Sequence, residues 1–387
     1  MTPVGTINSN VRVKPEGSKP PKEEPKQRRS KVAVLKTSPQ SVVEDIDRLM
    51  KLADFEAALP KQFDTILKIN ISWHFYYPAC STTPWQFDGV IRTMKSAGYK
   101  NLIPAQNRTV VVDPKLGAKN NHLESVLQKH QLDFAYLYEE GYEWFTYEPK
   151  QPLLVLDKVY PHGFKIPRLL VGKNAIHMPT VKTHVFTTTT GAMKNAFGGL
   201  LSENRHWTHS VIHETLVDLL QIQKEIHPGL FAVMDGTIAG EGPGPRCMIP
   251  RIKNYILASA DQVAIDAVAA KMMGFDPLSI KYIRLAHERG LGCGDVREMD
   301  IVGEDISNVN FKFTTGDTFA SKGQKLIYWG PLHKIEHLLL RTPLFWNWSR
   351  VASYAYHDYY WYPFVGKKRV KEILKTDWGK LFDTYKA

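Results

Sequence analysis

The chain has 387 residues, 43% of them apolar and 23% charged, which is enough for one large or two medium globular domains and excludes a fibrous or wholly disordered protein. The net charge of +11 sits at the ends. Residues 1–31 carry eight Lys/Arg against three Glu and residues 361–387 carry seven against three acids, so the body is nearly neutral and lacks the charged face of a nucleic-acid-binding domain.

In chain order, residues 1–30 are rich in Pro, Lys, Glu and Ser and are expected to be a disordered basic tail. KVAVLK (31–36) reads as a strand, residues 42–58 as a helix and DTILKINIS (64–72) as a second strand. PWQFDGVIRTMKSAG (84–98) starts at a proline and stops at a glycine, as helices do. Strands are expected at 100–105, 133–138, 173–181, 230–236 and 254–260. Helices are expected over 209–226, 261–274 with Asp261 as cap, and 277–289. This alternation implies an α/β fold with largely parallel sheets covered by helices on both faces. We place the core at 31–325, in two lobes of about 31–150 and 151–325. Residues 326–387 form an aromatic-rich, basic C-terminal segment, with eleven Phe, Trp or Tyr between Tyr328 and Tyr362. Such rings either cap the core or meet an anionic membrane surface.

No run of about eighteen apolar residues occurs, so no spanning helix is expected. The polar N-terminus is unlike a secretory signal. Cys80, Cys247 and Cys293 make no C-x-x-C pair, so neither a disulfide framework nor an iron–sulfur cluster held by this chain alone is expected. A cytoplasmic setting follows, with peripheral membrane contact through the C-terminal segment left open.

Chemistry concentrates at strand ends, where open α/β sheets bind ligands. Strand 64–72 delivers Lys68 and Asn70, and Thr82 and Thr83 precede the helix at Pro84. KTHVFTTTTGAMKN (182–195) delivers Lys182, His184, Thr187, Thr188, Thr189, Thr190, Gly191, Lys194 and Asn195. Cations, hydroxyls and a glycine turn suit a carboxylate or phosphate, so these residues are the candidate anion site. Lys182 and Lys194 would neutralise the anion and His184 would move a proton. Asp235 and Glu241, before and within GEGPGP (240–245), would hold a divalent metal or balance the lysines. His206, His209 and His213 share one face of a continuous helix, where they would ligate a metal, reach the anion or serve as structural histidines. No P-loop, G-x-G-x-x-G or G-x-S-x-G is present.

The segments ILKIN, STTP, MPTVKTHVFTTTTGAMKNAFGG, LVDLL, FAVMDGTIAGEGPGP, LASADQVAIDAVAAKMMG and HERGLGCG resemble, in this order, the bacterial and archaeal domain of unknown function family 362. Many of its members are described as iron–sulfur proteins through a ferredoxin-like cysteine insert, which this chain lacks, so the resemblance implies at most a redox partner protein. The reading is an enzyme acting on a small anionic metabolite, with metal or redox assistance open. The alternatives are an accessory protein in iron–sulfur or metal cofactor assembly or electron transfer, and a binding protein docking on membrane or nucleic acid. The sequence leaves open whether the chain is an enzyme at all.

Overall fold

Short apolar runs punctuated by Pro, Gly and Asn assemble into one ten-stranded sheet and a small two-stranded one. The structure, a computed structural model, describes residues 29–108, 111–331 and 351–386. All but the last two residues of the expected 1–30 tail lie outside the described residues, as does the middle of the aromatic segment.

The strands are β1 (Lys31–Lys36), β2 (Thr65–Ile69), β3 (Leu102–Gln106), β4 (Ala135–Tyr136), β5 (Trp144–Thr146), β6 (Lys165–Pro167), β7 (Asn174–Met178), β8 (Thr180–His184), β9 (Thr188–Thr189), β10 (Leu230–Glu241), β11 (Ile249–Ser259) and β12 (Asp300–Gly303). The large sheet runs β12-β1-β11-β10-β7-β2-β3-β4, with β8 and β9 branching from β10. The path from β10 to β4 is parallel throughout, and β11 is antiparallel to both of its neighbours, so the sheet is mixed and mostly parallel. Strands from both expected lobes interleave in this one sheet, because β2 of the first half pairs with β7 of the second.

Period-two alternation divides the core. Val32 and Val34 face one hydrophobic cluster, with Ala232 and Met234, while Ala33 and Leu35 face the other, with Phe231 and Val233. Helices Ile212–Ile226, Gln262–Met273 and Lys281–Glu288 cover the first face, and Val42–Leu52 and Pro84–Ser96 cover the second. Asp261 caps its helix as expected, accepting the Val263 and Ala264 N–H groups at 2.8 and 3.0 Å.

Several boundaries differ from the sequence reading. The expected helix 42–58 breaks at Asp54, whose φ of 53° is left-handed, a conformation aspartate tolerates better than most residues. The expected strand 173–181 breaks at Pro179 into β7 and β8, because proline has no N–H for the ladder. The C-terminal segment folds back on the second face: Trp361, Trp378 and Phe382 are buried there, and Tyr362 stacks on Phe75 at 4.3 Å. Asp358 accepts the Trp73 indole N–H at 2.8 Å, fixing this return.

Candidate functional site

The carboxyl ends of β2, β3 and β8 open on a cavity of about 360 Å³. The cavity therefore lies at the strand ends where the sequence reading places its candidate site. The lining holds three lysines, Lys68, Lys182 and Lys194, and two arginines, Arg205 and Arg246. Four imidazoles join them, from His184, His206, His209 and His357, and among the described residues no Asp or Glu lines the cavity. Phe186, Phe197 and Tyr328 supply apolar wall.

The lysines differ in how they are held. Lys68 Nζ is tied to the Ile69 carbonyl and the Gln106 side-chain oxygen. Burial, then Arg205, holds its pKa well below the usual value. Gly199 lies so close that an added Cβ would sit 2.9 Å from Lys68 Cε, so a larger residue in the Phe197–Leu200 turn would displace this lysine's side chain. Lys182 Nζ donates to the Cys80 carbonyl at 2.6 Å and reaches Ser72 Oγ at 3.4 Å. Burial pulls its pKa to about 8. Lys194 has no hydrogen-bond or ion-pair partner among the described residues. Its ammonium lies 5.4 Å from the centre of the Phe197 ring. Burial, then Lys182 and Arg205, brings its pKa to about 7. No nearby carboxylate offsets these charges, and desolvation therefore favours the neutral amine.

His184 is buried and accepts the Phe186 N–H on Nδ1 at 3.1 Å. Burial, then Lys194, keeps the ring neutral well below its usual pKa, so the proton resides on Nε2. The ring therefore presents an N–H donor, the form in which the proton-moving histidine expected from sequence would give a proton. His209 has its Nδ1 2.9 Å from the His206 carbonyl and stacks on Tyr328, and burial pulls its pKa to about 3.

The remaining expected residues divide. Asn70, Thr190, Gly191 and Asn195 line the cavity. Asn195 Nδ2 donates to the Lys68 carbonyl at 2.9 Å and so ties the helix Ala192–Asn195 to β2. Thr82, Thr83, Thr187, Thr188 and Thr189 do not line it. The Thr82 hydroxyl donates to the Met178 carbonyl at 2.7 Å, and Thr187 donates to the Thr189 carbonyl at 2.7 Å. Thr189 shares a hydrogen bond with the Tyr282 hydroxyl at 2.9 Å, and Thr188 takes the left-handed turn at φ 64°. Within this tight turn the Thr187 and Thr189 hydroxyls serve the backbone and core, and Thr190 alone of the four threonines faces the cavity.

Asp235 lies outside the cavity. Its carboxylate accepts the Thr83 hydroxyl at 2.5 Å, the Trp85 indole N–H at 3.0 Å and the Thr237 N–H at 2.7 Å. Glu241 pairs with Arg251 at 2.8 Å, also outside. Neither carboxylate faces the lysines it was expected to balance or a metal among them. His206 and His209 border the cavity, whereas His213 stacks on Tyr282. The expected single helix is a 3-10 helix over Glu203–Val211 and an α-helix from Ile212, and the change in pitch turns His213 away. Among the described residues no three His, Cys, Asp or Glu side chains converge as a metal-holding group.

Sequence reasoning missed Gln106, Arg205, Arg246 and His357. Arg205 donates to the Arg108 and Phe197 carbonyls at 2.9 and 3.3 Å. Arg246 ends the Gly/Pro loop and donates to Ser353 Oγ at 3.2 Å. Its position directly after GPGP was the signal available. His357 comes from the C-terminal segment, which only the chain's return brings to the cavity. Asp266 was missed as well: its Oδ1 accepts the Ala192 N–H at 2.6 Å and its Oδ2 the Met193 N–H at 3.2 Å.

A family model described as Domain of unknown function (DUF362) matches residues 65–271, just over half of the chain and all of the strands that meet at the cavity. A thylakoid-associated protein of Synechocystis sp. is 31% identical over 120 residues. That match covers 30% of this chain and 37% of the relative's length. No solved structure matches.

Proposed function

The chain belongs to the family described as Domain of unknown function (DUF362), and from its own geometry we propose that it is an enzyme acting on a small carboxylated or phosphorylated metabolite in the cavity. One observation carries this reading: three lysines, two arginines and, among the described residues, no carboxylate line about 360 Å³ of space. That volume suits a metabolite-sized ligand, and an anion would supply the counter-charge the fold withholds. Lys182 and Arg246 would neutralise it, the His184 Nε2–H would donate to it, and Phe186 and Tyr328 would take its carbon skeleton. Calorimetric titration of the full chain with inorganic phosphate and with pyruvate tests this. Binding lost in Lys182→Met supports it; no binding of either anion, or unchanged binding in the variant, overturns it.

A second reading is favoured by a different observation. Tyr359, Tyr360 and Phe364 are 78%, 59% and 63% exposed, immediately before Lys367, Lys368 and Arg369. Rings beside cations suit an anionic bilayer surface, and the similar Synechocystis protein is thylakoid-associated by name. Among the described residues no helix is long and apolar enough to cross a membrane. Flotation with phosphatidylglycerol vesicles, but not phosphatidylcholine vesicles, lost in the triple serine variant of the three rings, is the expected result. Equal flotation of the variant would end this reading.

A further inference from the structure

The three cavity lysines are not equivalent. Lys68 and Lys182 spend their N–H donors on carbonyl and side-chain oxygens, which fixes them in place. Lys194 lacks such a partner among the described residues and lies half-buried against the Phe197 ring. It projects from the short helix Ala192–Asn195, whose backbone Asp266 and Asn195 lock in place, so the amine is held by its backbone and not by its own hydrogen bonds. From this arrangement we propose that Lys194 is a nucleophile that forms an imine with an anionic carbonyl compound such as a 2-oxo acid. The inference rests on the anion-site reading, because the neighbouring cations must hold the substrate's carboxylate.

The step balances without any further reagent. The Lys194 nitrogen lone pair adds to the carbonyl carbon, and the carbonyl π electrons move to oxygen. One proton passes from nitrogen to that oxygen to give the carbinolamine, the hydroxyl then leaves as water with the second nitrogen proton, and a C=N bond remains; addition of water reverses it. The His184 Nε2–H lines the same cavity and is the donor available to the carbonyl oxygen. Lysines become nucleophilic when desolvated or placed beside other cations, and Lys194 has both conditions, with Lys182 and Arg205 as the cations. With its pKa near 7, about half of such amines are unprotonated at neutral pH, against less than about 0.1% for an ordinary lysine.

The experiment is reductive trapping. The full chain is incubated with pyruvate and cyanoborohydride, with and without excess inorganic phosphate, and digested for peptide mass mapping. The expected result is an adduct on Lys194, at about tenfold higher occupancy than on any exposed lysine, suppressed by phosphate and absent in Lys194→Arg. Pyruvate binding measured separately on the wild type divides the two ideas. Binding without an adduct on Lys194 overturns the nucleophile and leaves the anion site standing. Absence of pyruvate and phosphate binding overturns both.

Discussion

Asp266 Oδ1 accepts the Ala192 N–H at 2.6 Å, so the N-terminus of the helix after the threonine run is closed by the protein's own carboxylate. The helix whose leading threonines the sequence reading includes in the candidate anion site begins at Pro84, where Thr83 caps the backbone and donates to Asp235. Both helix ends are therefore satisfied internally. On the proposed reading, attraction for an external anion would come from side-chain cations that the described residues leave without carboxylates.

Asp266→Ala should destabilise the chain by about 1–3 kcal/mol, because two buried backbone N–H groups lose their acceptor. Burial pushes the Asp266 pKa to about 8, above its unfolded value of 3.8. A raised carboxyl pKa means the folded state holds the proton, so stability is fullest below about 4 and falls as pH rises through 8. Asp266→Asn keeps one acceptor and does not titrate. In urea denaturation, its deficit against wild type should shrink between pH 5 and pH 9; a constant deficit would contradict the assignment.

Gly191 has φ +136°, and a Cβ there would run into the Asp266 carboxylate. Gly191→Ala should therefore cost about 1–3 kcal/mol and loosen the turn that aims Lys194. Thermal melts and phosphate titration should move together, whereas Gly290→Ala, with open space around it, should lower the melting temperature without weakening phosphate binding.

Affinity for anions should fall with rising pH. The free-state pKa values of about 7 for Lys194 and about 8 for Lys182 mean that above pH 7 the site must take up a proton to bind. The loss should approach about tenfold per pH unit and steepen past 8. For stability the sign is opposite: a depressed lysine pKa destabilises most fully below 7, and that cost fades towards 10.5. Lys194→Met should accordingly stabilise the ligand-free chain more at pH 6 than at pH 10. A pH-independent phosphate affinity between 6 and 9 would refute both lysine assignments.

Removing a cation and removing a threonine should have different consequences. Lys182→Met should weaken phosphate binding about 10- to 100-fold, the scale of a charged hydrogen bond, with little loss of stability. Thr187→Val should cost about 1 kcal/mol of stability and leave phosphate affinity unchanged, since its hydroxyl already donates to the Thr189 carbonyl. Paired calorimetry and denaturation on the two variants would expose an error in either direction.

The alternation of short apolar runs with helical stretches was enough to read the mostly parallel, helix-covered sheet, because burial on both faces demands it. The same pattern placed Lys68, Lys182 and Lys194 at or near strand ends, and all three line the cavity. The direction of each threonine was not readable. A one-residue change of register or a left-handed residue such as Thr188 turns a side chain from cavity to core, and local composition is blind to that. The partners of Asp235 and Asp266 lie 152 and 74 residues away in sequence, and His357 reaches the cavity only because the C-terminal segment returns. Residue types and strand ends are local properties, legible along the chain. Which carboxylates are consumed, and which lysine is left without a hydrogen-bond partner, depends on long-range packing that only the folded chain decides.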